Sequence, residues 1–219
     1  MFVDLIKIIV IWRGEIFVAI LKNLLGIDNQ AELARVEEKT TKIRAKELVE
    51  NRVIDSFEIG TFKGLSQVHQ YLFQDIYDFA GKTRNVDIAK GQFRFAPVLY
   101  LKPALVEIEK LDQNNYEQII EKYVEMNIAH PFREGNGRAT RIWLDQILKK
   151  EIGKVVDWNE VDKDKYLSAM IMSPVNDLPI KELLKPALTD KIDDHETFFK
   201  GIDASYYYEG YTEFKTEDL

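Results

Sequence analysis

The chain has 219 residues, of which 46% are hydrophobic and 31% are charged, the balance of an ordinary single globular domain with a sizeable core. Its formal net charge of −7 argues against nucleic acid as a direct partner, because binding to phosphate backbones needs clustered basic charge. Cysteine is absent, which excludes disulfide bonds and thiolate metal sites.

The first 21 residues, MFVDLIKIIVIWRGEIFVAIL, are strongly apolar but are interrupted by charges. No uninterrupted run approaches the ~20 apolar residues that a membrane-spanning helix requires. A secretory signal peptide fits poorly, because no basic segment leads and no small-residue cleavage site follows. We expect residues 1–21 to be a peripheral extension, a helix or strand packed on the body or on a second copy. The alternative is that the sequence starts upstream of the true first residue. We expect a cytoplasmic protein without membrane contact.

Apolar residues at three- and four-residue steps predict a mostly helical bundle. The predicted helices cover residues 30–51, 61–80, 103–110, 115–129, 138–151, 162–172, 179–188 and 195–208. Because no long linker and no internal repeat interrupts the series, we take residues 22–211 as one domain. Its last helix runs over about 195–209, and residues 212–219 form an acidic tail that we expect to be loose.

The segment 85–101 departs from the helical period. Residues 85–88, Asn-Val-Asp-Ile, and 92–95, Gln-Phe-Arg-Phe, alternate polar and apolar side chains. Ala89-Lys90-Gly91 between them fits a hairpin turn. A lone hairpin in a helical domain leaves an unpaired edge. It is either a small structural ribbon or a docking edge to which a target segment adds as a strand.

Residues 130–141 read His-Pro-Phe-Arg-Glu-Gly-Asn-Gly-Arg-Ala-Thr-Arg, which combines a base, a carboxylate, an amide and two arginines. Gly135 and Gly137 let the backbone point several N–H groups at one anion. A helical pattern follows, so the loop opens onto a helix N-terminus, which favours anions. Arg138 and Arg141 are three apart and share a helical face beside it. The stretch therefore predicts a site for a nucleotide's phosphates next to a proton acceptor.

Individual residues of this stretch suggest roles. His130 lies between a predicted helix and Pro131, at a helix end where a neutral imidazole can accept a proton. Glu134 beside a polyphosphate would be repelled unless a cation intervenes, which argues for Mg²⁺ as a cofactor. Asn136 can donate to a phosphate oxygen or shape the loop, and Phe132 should bury its ring.

The stretch matches every fixed position of H-P-F-x-[D/E]-G-N-G-R-x-x-R, and it thereby resembles the Fic (filamentation induced by cAMP) family over about residues 30–211. The resemblance implies a Fic-type helical bundle with a small β-hairpin flap. It also implies transfer of AMP from Mg-ATP to a Tyr, Thr or Ser hydroxyl of a target protein, with His130 as the base. The residues expected to contact the nucleotide are Gly135, Asn136, Gly137, Arg138 and Arg141, and Glu134 would hold the metal.

The resemblance extends to two further segments. In Fic proteins a hairpin at this place, the flap, is thought to dock the target. The expected flap residues are Lys90, Gly91, Gln92 and Phe93. Asn176 lies where family members line the base pocket, which makes it an adenine-side candidate. A helix-ending turn is the alternative interpretation of Asn176.

Near the C-terminus, residues 205–210 read Ser-Tyr-Tyr-Tyr-Glu-Gly. Ser205 and Glu209 are four apart on one helical face, and Gly210 is a natural helix stop. The segment resembles the inhibitory pattern [S/T]-x-x-x-E-[G/N] of Fic proteins. That resemblance implies a self-inhibited subclass, in which Glu209 pairs with Arg141 and removes a donor meant for the terminal phosphate of ATP. An aromatic-rich helix with a solvated glutamate is the alternative.

Two other functions remain open. Glu209 could orient a water and help remove AMP from a modified protein, and no motif residue separates this de-AMPylase or bifunctional enzyme from the transferase. A nucleotide-sensing interaction module with little turnover is the third hypothesis, although a sensor needs no general base. The target is not readable from the residues; family habits suggest a type II topoisomerase for some self-inhibited members. We further expect a homo-oligomer and self-modification at one of the tyrosines 206–208.

Overall fold

The computed structural model describes residues 8–12, 15–90 and 93–219, and eight α-helices form most of this part of the chain. The helices are α1 Gln30–Glu50, α2 Phe62–Phe73, α3 Val98–Lys110, α4 Tyr116–Ala129, α5 Asn136–Ile152, α6 Lys163–Met172, α7 Leu178–Leu184 and α8 His195–Tyr208. Antiparallel strand pairs accompany them: β1 Ile8–Trp12 with β2 Glu15–Ala19, β3 Ala89–Lys90 with β4 Phe93–Arg94, and β5 Val155–Val156 with β6 Leu188–Thr189. The predicted mostly helical bundle with a small hairpin is confirmed.

Short polar side chains mark where several helices begin. Each accepts hydrogen bonds from backbone N–H groups in the first turn, which have no partner inside the helix. These N-caps are Asn29, Thr61, Asn115, Asp162 and Asp194. Helix starts are therefore set by local signals, which explains why the predicted starts of α1, α2, α4, α6 and α8 lie within one residue of the observed ones.

Helix α5 lies at the centre of the bundle and packs against α2, α4 and α8. Its Trp143, Leu144, Ile147 and Leu148 side chains are fully buried. Burying side chains of this size stabilises the fold by about 1.5–3 kcal/mol each. The loop that precedes α5 is therefore attached to a helix that is buried at several positions.

Three predicted helix bounds are wrong. Helix α2 ends at Phe73 rather than at residue 80, because tight turns return Ile76 and Tyr77 to the core. Apolar steps of three and four residues fit such turns as well as a helix. Helix α7 ends at Leu184, and a 3₁₀ turn that contains Pro186 leads into β6. Helix α3 begins at Val98, well before the predicted start at residue 103.

The hairpin in the segment 85–101 is present, but its strands do not begin and end where the pattern predicted. Ala89 and Lys90 are strand residues, paired with Arg94 and Phe93 respectively, and not part of the turn. The alternating residues 85–88 precede β3 and are not strand residues, so the strand pairing is shorter and begins later than the alternation indicated.

Both ends of the described chain form specific contacts. In the apolar extension, β1 pairs with β2 in the register Ile8↔Ala19 to Trp12↔Glu15, one of the expected forms. The acidic tail is not loose: Thr216 is buried and donates to Asp203 through its hydroxyl at 2.6 Å. No helix in the described ranges combines the length and the apolarity that crossing a bilayer requires.

Candidate active site

His130 ends α4 in the left-handed backbone conformation, with φ 47° and ψ 63°. Its backbone N–H donates to Met126 O at 3.1 Å, and its Nδ1 lies 3.3 Å from Asn127 O. If Nδ1 donates in this contact, the lone pair of the neutral ring is on Nε2, the nitrogen that can accept a substrate proton. The Phe95 ring stacks on the imidazole with a centroid distance of 3.6 Å.

Asn136 shapes the loop that follows His130. Its Oδ1 accepts from Phe132 N at 2.8 Å, and its Nδ2 donates to Phe132 O at 2.8 Å. Phe132 is fully buried, as predicted, and its ring stacks on His69. Of the two roles that the sequence left open for Asn136, these contacts support loop shaping.

Gly135 in the loop and Gly137 in the first turn of α5 allow other groups to approach the backbone closely. Gly135 has φ 73°, and a Cβ there would lie 2.3 Å from Cζ of Phe73. A Cβ on Gly137 would lie 2.7 Å from Oε1 of Glu209 and 3.0 Å from Nη1 of Arg141. A ring therefore packs under the first glycine, and charged groups crowd the second.

Arg138 is 1% exposed and is surrounded by three carboxylates. Its Nη1 donates to Glu37 at 2.6 Å and its Nη2 to Glu134 at 3.0 Å. Its Nε lies 2.7 Å from Glu209 Oε2, an ion pair that lacks hydrogen-bond geometry. Burial lowers the pKa of this guanidinium, but the charges of Glu209 and Glu37 outweigh burial and hold the pKa well above its usual value.

Arg141 lies between α5 and α8. Its Nε donates to Ser205 Oγ at 2.6 Å, and its Nη2 donates to Ser205 O at 3.1 Å and to Glu209 Oε1 at 3.2 Å. Its Nη1 lies 3.4 Å from the Tyr166 hydroxyl. Glu209 thus contacts both arginines, and its shorter contact is with Arg138 rather than with the predicted partner.

Glu134 is buried at the loop that would face a nucleotide. Burial is the main cause that raises its pKa to about 7, while Arg138 acts in the opposite direction. In the part of the chain that the structure describes, no three His, Asp or Glu side chains converge as a metal site. One carboxylate still fits Mg²⁺, because this ion commonly takes its remaining ligands from phosphate and water.

Of the inhibitory segment, Ser205 is buried against Arg141, Glu209 caps the end of α8, and Gly210 follows with φ 92°. Tyr206 is buried, with its ring 5.1 Å from the Arg138 guanidinium. Tyr207 is 52% exposed, so it is the accessible one among the three tyrosines considered for self-modification.

The remaining predicted residues lie farther from these groups. Phe93 is in β4, and the centroid of its ring is 5.1 Å from that of Phe95. Lys90 is the last residue of β3. Gly91 and Gln92 lie outside the described residues. Asn176 is exposed, and its Oδ1 accepts from Leu178 N at 3.1 Å, which matches the turn interpretation.

The sequence interpretation missed three residues that support the loop. Glu37 on α1 binds Arg138 and also accepts from the hydroxyl of Tyr211 at 3.2 Å. His69 on α2 accepts from Gly81 N at 2.9 Å through Nδ1, so its Nε2 donates to Glu134 O at 2.8 Å. Arg84 donates to the His130 carbonyl at 2.7 Å. Glu37 and His69 could have been found as polar residues on apolar helix faces. No feature of the sequence indicated Arg84.

Comparison with protein families and curated proteins gives consistent matches. The Fic/DOC family profile matches residues 61–148. The chain is 37% identical over 165 residues to the protein adenylyltransferase VbhT of Bartonella schoenbuchensis, covering 70% of this chain and 34% of VbhT. It is 29% identical over 187 residues to the probable protein adenylyltransferase Fic of Salmonella typhimurium, covering 78% of this chain and 88% of that protein. The chain therefore spans about a third of VbhT and most of the Salmonella protein.

Solved structures give the same result for the fold. The BepC protein of Bartonella tribocorum with bound AMPPNP aligns with a TM-score of 0.65 at 23% identity, covering 77% of this chain and 92% of that one. The N-terminal Fic domain of a putative cell filamentation protein from Bartonella quintana, with bound ADP, aligns with a TM-score of 0.64 at 23% identity, covering 78% and 91%. At this identity the similarity establishes the fold.

Proposed function

The chain belongs to the Fic/DOC family, as its motif predicted, and on that premise we propose that it is a protein adenylyltransferase inhibited by its own Glu209. It would transfer AMP from ATP to a Tyr, Thr or Ser hydroxyl of a target protein. The observation that carries the proposal is the pairing of a base, His130, with Arg138 and Arg141 at the two ends of one loop.

In the proposed reaction the target hydroxyl gives its proton to Nε2 of His130. Its oxygen forms a bond to the α-phosphorus of ATP, and the bond from that phosphorus to the bridging oxygen breaks, so that pyrophosphate leaves. Once Glu209 has been displaced, Arg138, Arg141 and the loop N–H groups would stabilise the charge on the phosphates through charge-assisted hydrogen bonds. Magnesium, held by Glu134, would neutralise further phosphate charge.

The proposed inhibition follows from competition for the arginines. In the resting chain, the Glu209 carboxylate lies 2.7 Å from Arg138 Nε and 3.2 Å from Arg141 Nη2. A triphosphate needs the same donors, and a tethered carboxylate competes at high effective concentration. Without Glu209, Arg141 would keep no carboxylate partner in the described part of the chain, which favours a bound anion.

The Glu209→Gly variant tests the activity and the inhibition together. We expect its transfer of label from radiolabelled ATP to protein to rise at least about tenfold over the parent, which corresponds to ~1.4 kcal/mol. Adding His130→Ala should abolish the transfer. Glu182→Ala, at an exposed glutamate on α7, serves as the matched control and should behave as the parent. If the Glu209 variant labels no protein in a bacterial lysate, the proposed function is wrong.

The same variant distinguishes the reverse reaction. If Glu209 orients a water for removal of AMP, a protein that has first been modified would lose its AMP with the parent chain but keep it with Glu209→Gly. Under the proposed function, the parent should leave the modified protein unchanged.

Mass spectrometry of the labelled proteins would identify the target. We propose a protein with an exposed hydroxyl side chain, and the family resemblance makes a type II topoisomerase the first candidate. The same spectra would report self-modification, for which Tyr207 is the accessible candidate.

A further inference from the structure

The carbonyl groups around the C-terminal end of α4 are all taken up by hydrogen bonds. The last carbonyls of a helix have no partner inside it, so each needs another donor or water. Here Ile128 O accepts from the backbone N–H of Ala96 at 3.1 Å, which comes from the chain just after β4. The carbonyl of Met126 accepts from the backbone N–H of His130, and the carbonyl of Asn127 lies within hydrogen-bond distance of His130 Nδ1.

Arg84 provides the donors for the next three carbonyls. Its Nη2 donates to Ala129 O at 3.1 Å and its Nε donates to His130 O at 2.7 Å. Its backbone N–H donates to Pro131 O at 2.8 Å. One residue therefore contacts three consecutive peptide groups with His130 at their centre.

The same guanidinium also contacts the flap segment, residues 86–96, at both of its ends. Nη1 donates to Val86 O at 2.8 Å, and Nη2 donates to Ala96 O. All four side-chain contacts of Arg84 go to backbone carbonyls, and the residue is 5% exposed. A planar guanidinium with five N–H donors can bind these four carbonyls at the same time, whereas a lysine ammonium has three donors on a single nitrogen.

These contacts matter because the conformation of His130 is unfavourable in isolation. A residue with a side chain rarely adopts the left-handed conformation, and the following Pro131 restricts it further. Such conformations persist where the surroundings determine them, and they concentrate at functional sites. Arg84 donates to the carbonyl of His130, and the ring of Phe95, which belongs to the flap segment, stacks on its imidazole.

We propose that Arg84 is a positioning residue that orients His130 and links it to the flap segment, so that docking of a target and placement of the base are coupled. The inference rests on the proposed transferase function. It assigns to Arg84 a role in the chemical step that does not involve contact with ATP.

Kinetics in the active Glu209→Gly background provide the first test, with Arg84→Lys and Arg84→Gln. We expect kcat for AMP transfer to fall at least about tenfold in both, while the KM for ATP stays within about twofold, because the phosphate donors Arg138 and Arg141 are not among the contacts of Arg84. Arg52→Lys, at an exposed arginine after α1, is the matched control and should keep the full rate.

The imidazole nitrogen chemical shifts provide a second readout that does not depend on turnover. In Arg84→Lys we expect the His130 signals to move toward those of a mixture of the two neutral tautomers. The signals of His69, whose two nitrogens are bound to Gly81 and Glu134, should stay unchanged. Phe95→Leu, which removes the stacked ring but keeps apolar bulk, should also move the His130 signals.

Unchanged kcat and unchanged His130 signals in Arg84→Lys would overturn the proposal. Loss of the folded state in Arg84→Lys would also overturn it, because Arg84 would then be a general structural support. If Glu209→Gly transfers no AMP at all, the proposed function fails, yet the His130 signals still decide whether Arg84 positions the ring.

Discussion

The charged groups around Arg138 illustrate how much a single side chain can depend on its neighbours. Three carboxylates contact this guanidinium from α1, from the motif loop and from the end of α8. Removing one partner of a buried ion pair typically costs ~3–5 kcal/mol, because it leaves an uncompensated charge. Without Glu209, Arg138 would keep Glu37 and Glu134 but Arg141 would lose its carboxylate contact, so an anion at the position of Glu209 is favoured mainly by Arg141.

Gly135→Ala should destabilise the chain more than Gly153→Ala. Both glycines have positive φ, which costs alanine about 1–2 kcal/mol at either position. At Gly153 no atom lies within 4 Å of the added Cβ, whereas at Gly135 the Cβ would overlap the buried Phe73 ring. Overpacking should add about 1–3 kcal/mol for Gly135→Ala, measured by urea unfolding. Equal losses in the two variants would contradict the role of Phe73.

His69→Gln should remove part of the acid sensitivity of the fold. Burial lowers the pKa of His69 from its ordinary value of 6.5 to about 3. The unfolded chain therefore binds a proton below about pH 6.5 that the folded chain refuses. The stabilising contribution of the neutral ring is complete above that pH and is lost as the pH falls toward 3.

The measurement is the free energy of unfolding of parent and variant at several pH values. Glutamine keeps an N–H donor for Glu134 O and does not titrate, so the difference between parent and variant should grow as the pH rises from about 4 to 6.5. His195→Gln, on the exposed first turn of α8, is the control. A difference that stays constant over this range would show that His69 does not carry the effect.

At the scale of elements, the tail after α8 acts as a strap, defined here as residues 213–218, that ties α8 to α1. The buried Lys42 on α1 lies 2.9 Å from Asp203 on α8 and 3.1 Å from Glu38, and it donates to Phe214 O. Thr216 donates to Asp203 through both its N–H and its hydroxyl. The position of Glu209 at the end of α8 thus depends on contacts made by the strap.

Removing residues 212–219 should weaken the inhibition under the proposed function. Without the strap, α8 loses the contacts of Asp203 with Thr216, and the Glu209 carboxylate competes less well for the arginines. We expect the basal AMP transfer of the shortened chain to rise several-fold, and Thr216→Val to give a smaller rise. In the Glu209→Gly background the same deletion should change nothing, since the competing carboxylate is already absent. A further rise there would place the effect of the strap elsewhere.

At the scale of the whole molecule, the hairpin of β1 and β2 bears on self-association, because these two strands form a sheet of their own. A two-stranded hairpin is marginally stable alone in water, and its edges offer unpaired backbone groups to another chain. Ile20 and Leu21, which follow the hairpin, pack against buried residues. The hairpin is therefore a natural element for self-association.

A chain that begins at residue 20 should be monomeric, while the full chain should form a dimer or a larger assembly, as judged by sedimentation. The free energy of unfolding of the shortened chain at low concentration should stay within about 0.5 kcal/mol of the parent, because the shortened chain keeps Ile20, Leu21 and the buried residues that they pack against. The same mass per particle for both chains would show that the hairpin does not mediate assembly.

Some of this molecule follows from the order of residues alone. The apolar period predicts the helical bundle, and short polar caps place the starts of five helices. The motif of residues 130–141 predicts the base, the arginines and the loop glycines, because these groups act over a few residues whose relative positions are set by the local backbone.

The tertiary structure decided the rest. Glu37, His69 and Arg84 reach the loop from α1, from α2 and from the chain before the flap, and no sequence spacing connects them to it. The choice of Arg138 as the closer partner of Glu209, and the ordering of the strap, also depend on how α8 packs against α1 and α5. Local spacing is encoded in the covalent chain, whereas contacts between distant residues exist only after the core has brought their elements together.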